Sequence, residues 1–371
     1  MPTRRHFIGR TASAMAGMAL VGTGVRGATA RPSGAPAQPA GATARRQVVV
    51  GGSRVRTVDV HAHCEIPGVR ELMGGSPSAN PALTIGPDRI RAMDAAGIDV
   101  EVLSINPFWY GVDREVAARL IRAQNEGLSE ICATYPDRFA ALATVALQHP
   151  QLAAEQLEEG VTALGLRGGS VGAAVGSEEL SSRRFDPFWA KAEELDAPIF
   201  LHPQGVPELA SRLQGNGFLG NVIGNPLATT IALSHLIFEG TLDRFPGLKL
   251  CAAHGGGYLP SYSDRSDYGC ATRPEQCTGP LARRPTDYVK QLYVDALVFT
   301  GDALRHLVSV VGANRIVIGT DYPYPWTATP DDARVPRFDV VDHVLDTPGL
   351  SDADRVAILG GNAAALFDIP L

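Results

Sequence analysis

The chain has 371 residues, of which 45% are hydrophobic, and its formal net charge is −6. This length suits one large domain or two ordinary ones. Charges of both signs are mixed along the chain without a basic stripe, which argues against a nucleic-acid partner.

Residues 1–30 have the pattern of an export signal. Arg4 and Arg5 precede a short, weakly apolar run, and Ala28-Thr29-Ala30 offers a small-residue cleavage site. The paired arginines resemble a twin-arginine signal, which predicts a periplasmic or extracellular protein; a disordered basic tail is the alternative. The apolar run is shorter than the ~20 residues of a spanning helix, so we expect no membrane span in the mature protein.

Residues 31–46 are rich in proline, alanine and glycine and are predicted to be a flexible linker, followed by one domain at 47–371. In that domain, apolar strand patterns alternate with helical patterns. The predicted strands are 57–63, 100–106, 139–147, 163–168, 198–202, 248–254, 292–297 and 315–320. The predicted helices are 87–96, 113–134, 150–160, 186–196, 226–243, 284–290, 301–312 and 351–366.

Eight such units favour an α/β fold of the (β/α)8 TIM-barrel type, whose active site lies at the carboxyl ends of the strands. A doubly wound open sheet is the alternative. No Gly-x-Gly-x-x-Gly run follows the first strand to support it.

The first strand places Asp59, His61 and His63 on one face, because side chains alternate along a strand. Two imidazoles at this spacing can reach the same metal ion. Two unpaired core histidines would instead cost about 1–3 kcal/mol each. A metal site is therefore the better interpretation.

Three later strands also end in a polar side chain. His202 ends the fifth predicted strand, His254 the sixth, and Asp321 follows the eighth. Because strand ends converge in a barrel, we expect these side chains to join His61 and His63 in one site.

Several motifs together are similar to the amidohydrolase superfamily, and in particular to its aminocarboxymuconate-semialdehyde decarboxylase-like branch. These motifs are DVHAH (59–63), DRIRAMDAAGIDVEVLS (88–104), IFLHP (199–203), LKLCAAHGGGYLP (248–260), RPEQC (273–277), YVDALV (293–298), IGTDYPYP (318–325) and GNAAALF (361–367). The resemblance implies the metal-dependent hydrolase type of barrel and a zinc site built by His61, His63, His202 and Asp321. It also implies that His254 is the catalytic acid/base, acting with Asp321.

The resemblance further implies one zinc ion per chain, with other divalent metals left open. Two-metal members of the superfamily carry a carboxylated lysine on the fourth strand. Here that strand is predicted to be Ala-Leu-Gly-Leu-Arg, and none of the three lysines lies near it.

The implied substrate is a small, aromatic or unsaturated carboxylic acid, and decarboxylation is favoured. Arg273 matches a family arginine that reaches the substrate of a neighbouring subunit, which leaves a homodimer open. Arg167 is a second candidate anion partner, and Trp109 and Tyr324 could wall a planar substrate. The alternatives are a solvated loop arginine and aromatic side chains that simply pack in the core.

Three other functions are alternatives. Hydrolysis of an ester, lactone or amide by a metal-bound hydroxide would use almost the same residues. A serine hydrolase is disfavoured, because Gly255-Gly256-Gly257 follows Ser170 and Asp321 follows His254, the reverse of the order in that fold. A non-catalytic zinc protein would not explain His254. Sequence alone leaves open whether Cys270 and Cys277 pair.

Overall fold

Eight parallel strands form the barrel in the computed structural model, which describes residues 45–76, 78–277, 279, 281–324 and 338–370. The strands are β1 Val58–His63, β2 Val100–Ser104, β3 Phe139–Ala141 with its continuation Ala143–Thr144, β4 Gly169–Gly172, β5 Ile199–His202, β6 Leu250–Ala252, β7 Tyr293–Asp295 and β8 Ile316–Val317. The predicted signal at 1–30 and residues 31–44 of the predicted linker lie outside the described residues.

Strand pairing runs in chain order from β1 to β8. β3 pairs with β2 through its first segment and with β4 through its second. Two parallel bridges, Asp59 to Ile318 and Ala62 to Tyr322, join β1 to the β8 side and close the ring. The predicted (β/α)8 barrel is confirmed.

Helices surround these strands. They are α1 Pro87–Ala96, α2 Arg114–Thr134, α3 Pro150–Thr162, α4 Asp186–Glu194, α5 Asn225–Phe238, α6 Thr241–Arg244, α7 Asp264–Thr272, α8 Pro285–Val289, α9 Gly301–Val311, α10 Val340–Asp346, α11 Asp352–Val356 and α12 Asn362–Phe367. Side-chain caps start several of them: Asp113 accepts from the Val116 amide and Thr300 from the Ala303 amide. None of the helices within the described ranges is both long and apolar enough to cross a membrane.

The position of the fourth strand was predicted wrongly. We expected 163–168, but the strand is Gly169–Gly172. A side chain at Gly168 would place its Cβ 2.2 Å from the Pro198 carbonyl oxygen, and the φ of Gly168 is +145°. Close packing against the start of β5 therefore requires glycine at position 168. Glycine has a low strand propensity, so the sequence pattern does not show that the strand begins directly after it.

Phe200 packs below the carboxyl end of the barrel. Phe200 and His202 are two residues apart on β5 and so face the same way. The Phe200 ring is fully buried, and its centroid lies 5.2 Å from that of His61. The Phe200 ring therefore packs against the base of the histidine cluster.

Candidate metal centre

The Asp321 carboxylate lies at the centre of four imidazoles. Its Oδ1 is 3.2 Å from His61 Nε2, 3.0 Å from His63 Nε2 and 3.9 Å from His202 Nε2. Its Oδ2 is 3.6 Å from His254 Nε2. The structure thus brings together all five residues that the strand ends predict.

The donor atoms of this cluster fit a metal cation. One donor atom from each of His61, His202, His254 and Asp321 lies within 4.8 Å of the others. Among the described residues, no hydrogen-bond partner reaches four buried nitrogens: His61 Nε2, both ring nitrogens of His202, and His254 Nδ1. Each such atom costs about 1–3 kcal/mol, and a divalent ion that binds one nitrogen of each ring would remove that part of the cost.

His63 differs from the other cluster imidazoles because both its nitrogens have a hydrogen-bond partner among the described residues. Its Nε2 is hydrogen-bonded to Asp321, and its Nδ1 lies 3.2 Å from the Ser104 hydroxyl oxygen. The compact donor set therefore contains His254 where the sequence predicts His63. Which of these two histidines is the ligand and which the acid/base stays a prediction.

Charge in the cluster also favours a cation. Burial lowers the pKa of His63 to about 4 and that of His202 well below its ordinary value, so both rings are neutral. Burial opposes charge on His61 too, but Asp321 and Asp295 outweigh it and raise the pKa of His61 to about 10. Burial likewise opposes charge on Asp321, yet His61 and His254 outweigh it and hold the pKa of that carboxyl below its ordinary range.

Asp295 is the functional residue that the sequence analysis missed. Its carboxylate is fully buried at the end of β7 and accepts a hydrogen bond from His61 Nδ1 at 2.7 Å. The signal was present in YVDALV, where a carboxylate interrupts an apolar strand.

Two cluster residues have left-handed backbone conformations, with φ of +56° at His254 and +59° at Asp321. Such conformations cost about 1–3 kcal/mol and are concentrated at functional sites. The amides of His254 and Gly255 donate to Asp295, and those of Gly256 and Gly257 donate to main-chain carbonyls. These amides are therefore already used and do not form an oxyanion hole, which further disfavours a serine hydrolase.

Of the predicted substrate residues, Tyr324 lies beside the cluster. Its ring centroid is 5.5 Å from that of His63, and 36% of the residue is exposed. The prediction for Trp109 was wrong: it is fully buried, and its indole N–H donates to the Val145 carbonyl at 2.9 Å. An aromatic residue after a strand can pack into the core or face the mouth, and here packing prevails.

The prediction that Arg167 lies at the end of the fourth strand was also wrong. The residue precedes β4, at the amino end of the barrel, and its guanidinium pairs with Asp368 at 2.9 Å. The shifted strand explains the error, because residues before a strand lie opposite the active-site face.

Arg273 is exposed at the end of α7, outside the cluster of its own chain. It lies within a short loop closed by a Cys270–Cys277 disulfide, so these two cysteines do pair.

Comparisons with known proteins agree with this geometry. The sequence model of the family described as Amidohydrolase matches residues 58–369. The chain is 31% identical to 2-amino-3-carboxymuconate-6-semialdehyde decarboxylase of Dictyostelium discoideum, over 74% of each chain. It is 30% identical to gamma-resorcylate decarboxylase of Rhodococcus jostii (strain RHA1), over 76% of this chain and 87% of the relative.

A solved structure supports the same assignment. The dihydroxybenzoic acid decarboxylase of Polaromonas sp. JS666, with bound manganese and the inhibitor 2-nitroresorcinol, superposes with a TM-score of 0.72. The two sequences are 27% identical, and the match covers 85% of this chain and 97% of that one.

Proposed function

The chain belongs to the amidohydrolase family, and on that premise we propose that it is a metal-dependent carboxy-lyase acting on a small aromatic or unsaturated carboxylic acid. Relatives at about 30% identity that span most of both chains are decarboxylases. The observation that carries the proposal is the position of His254. Its side chain is 12% exposed, against 6% or less for the other cluster members, so it is the imidazole with most access to a substrate.

The reaction needs a group that delivers a proton. When the carbon–carbon bond to the carboxylate breaks, CO2 leaves and its bonding electron pair stays on the substrate carbon. His254 Nε2 delivers the proton that this carbon takes up. A bound divalent cation supplies Lewis-acid charge that stabilises negative charge on a substrate oxygen.

We propose zinc as the cation, at one ion per chain. Three or four imidazoles and one carboxylate are a ligand set typical of zinc. The Polaromonas decarboxylase, which has a similar fold, binds manganese, so manganese is the alternative cation. Metal analysis of protein purified without added metal tests this. Two tightly bound ions per chain would contradict the mononuclear site.

Tyr324 supplies one wall for a planar acid. Arg70 lies near it: its guanidinium stacks 4.3 Å above the Phe108 ring, and its Nε–H donates to Glu65.

Arg273 is proposed to bind the substrate carboxylate in the site of a second copy, which makes the active form a homodimer. Its exposure in a single chain supports that role.

Export by the twin-arginine signal is likewise proposed. The Cys270–Cys277 disulfide supports it, because disulfides persist in oxidising compartments. Replacing Arg4 and Arg5 by lysine should retain the protein in the cytoplasm, with cleavage near Ala30 abolished. Normal secretion of the variant would refute the signal.

The reaction class is tested by isotope tracing. Metal-loaded protein is screened against aromatic carboxylic acids and against lactones in H2¹⁸O. Release of CO2 without solvent oxygen in the organic product supports decarboxylation. Incorporation of ¹⁸O into that product would replace it with hydrolysis.

A further inference from the structure

Asp295 makes four hydrogen bonds with its two carboxylate oxygens. Oδ2 accepts from His61 Nδ1 at 2.7 Å and from the His254 amide at 3.0 Å. Oδ1 accepts from the amides of Gly255 at 2.8 Å and Leu297 at 3.1 Å. One carboxylate therefore contacts both the ring of one cluster histidine and the backbone of another.

The contact with His61 fixes the ring. A carboxylate only accepts hydrogen bonds, so His61 carries a proton on Nδ1, and Nε2, the nitrogen that faces Asp321, is the one left to bind a metal ion. Carboxylate partners of this kind orient a metal-binding imidazole, and their loss typically lowers metal affinity 10–100-fold.

The contact with 254–255 fixes a strained turn. His254 and Gly255 have φ of +56° and +64°. With both amides held by Asp295, the position of the His254 ring depends on a residue that does not touch it.

Gly319, just after β8, leaves room for the contact between His61 and Asp295. A Cβ at Gly319 would lie 2.7 Å from His61 Cβ, 2.9 Å from Asp295 Cβ and 3.0 Å from Asp295 Oδ2. Gly319 follows β8, where any side chain would separate the His61–Asp295 pair. The close approach of His61 and Asp295 thus requires glycine at position 319, just after a third strand.

We propose that Asp295 is a positioning residue that orients the metal-binding ring of His61 and the acid/base His254 together, so that metal affinity and proton transfer depend on the same carboxylate. The part concerning His254 rests on the proposed function. The part concerning His61 depends only on metal binding.

The test is Asp295→Asn. The oxygen of the amide can still accept from Gly255, but its NH2 group would face His61 Nδ1 and favour the tautomer with the proton on Nε2. We expect metal affinity, measured by titration with zinc or manganese alone, to fall about 10–100-fold. With metal at saturation, kcat should stay at least tenfold below the parent while KM changes little.

Asp59→Asn is the matched control. Asp59 is an equally buried carboxylate that accepts from the amide of His61 and from Thr320, whereas the ring nitrogen Nδ1 of His61 bonds to Asp295. It should retain the metal affinity of the parent, which separates ring orientation from the general cost of losing a buried charge. Equal loss of affinity in both variants would overturn the proposal for His61.

Unchanged metal affinity in folded Asp295→Asn would also overturn it. If excess metal restores the kcat of Asp295→Asn fully, the proposed role of Asp295 at His254 is refuted, while its role at His61 stands. If no decarboxylation substrate exists, the metal titration still decides the role at His61. Should Asp295→Asn not fold, long-range ¹H–¹⁵N spectra of the metal-loaded parent protein decide: a proton on His61 Nδ1 supports the proposal, and one on Nε2 refutes it.

Discussion

The histidine cluster and the segment 264–277 contrast in how they are held. Every cluster side chain is nearly or fully buried, and each has neighbours from several strands. By contrast, neither α7 nor the turn Pro274–Gln276 has a buried residue. The segment is secured by the Cys270–Cys277 disulfide and by hydrogen bonds from Thr286 to Asp267. The metal site is therefore complete within one chain, whereas the proposed carboxylate-binding Arg273 is presented outward.

The largest effects should follow from removing central ligands. His202→Ala and Asp321→Ala should lose both metal and activity, because an incomplete shell releases the ion. Metal content after dialysis and turnover against the parent are the measurements. Stoichiometric metal in either variant would show that the cluster is not the binding site.

The next effect distinguishes His254 from His63. His254→Ala should keep close to one metal ion while turnover falls about 10²–10⁴-fold, the usual contribution of a positioned acid/base group. His63→Ala should instead lose the metal. A metal-free His254→Ala protein would reverse the two roles, in agreement with the compact donor set of the structure.

A moderate effect is expected at Arg273. Arg273→Ala should raise KM about 10–100-fold, the worth of a charge-assisted hydrogen bond of about 1.5–3 kcal/mol, without changing metal content. Arg265→Ala, an exposed arginine on the same helix, is the control and should leave KM unchanged.

Mixing inactive chains locates the site that Arg273 serves. In a mixed dimer of His254→Ala and Arg273→Ala chains, one site would regain both residues if Arg273 reaches across. Activity should then rise above that of either variant alone. No gain in a proven mixed dimer would confine Arg273 to its own chain or to solvent.

A smaller effect is expected from the disulfide. Replacing Cys270 and Cys277 by serine frees the loop around Arg273, so KM should rise by less than in Arg273→Ala. Metal content and kcat at saturating substrate should be those of the parent. A fall in metal content would show that the segment and the cluster are coupled.

The smallest effect concerns the free thiols of the barrel. Burial raises the pKa of Cys64 to about 12 and that of Cys132 to about 11. Because a raised pKa keeps a thiol protonated below it, neither should react with iodoacetamide at pH 8 in the native protein. Mass spectrometry before and after unfolding checks this. Rapid native alkylation of Cys64, next to His63, would show that the end of β1 beside the site opens.

Sequence predicted the cluster well because the first strand places two histidines on one face and the later strands are apolar runs followed by a polar residue, as in the run from Ile199 to His202. It failed where local patterns were ambiguous. The sequence places Asp295 in a predicted strand but does not assign it to the site, because only the folded barrel shows that its carboxylate faces the His61 ring. Helix α7 was not predicted, because a segment without a buried face has no apolar periodicity.

The closure of the barrel between β1 and β8 has a consequence for biosynthesis. His63 and Asp321 lie on opposite sides of this junction and are separated by 258 positions in the chain. A nascent polypeptide that has not yet reached residue 321 contains the first histidines but lacks the carboxylate between them. If metal binding requires Asp321, as the prediction for Asp321→Ala states, metal capture follows completion of the barrel, and residues from its first and last strands would hold the ion together. Loading with metal would thus mark chains whose synthesis and folding are both finished.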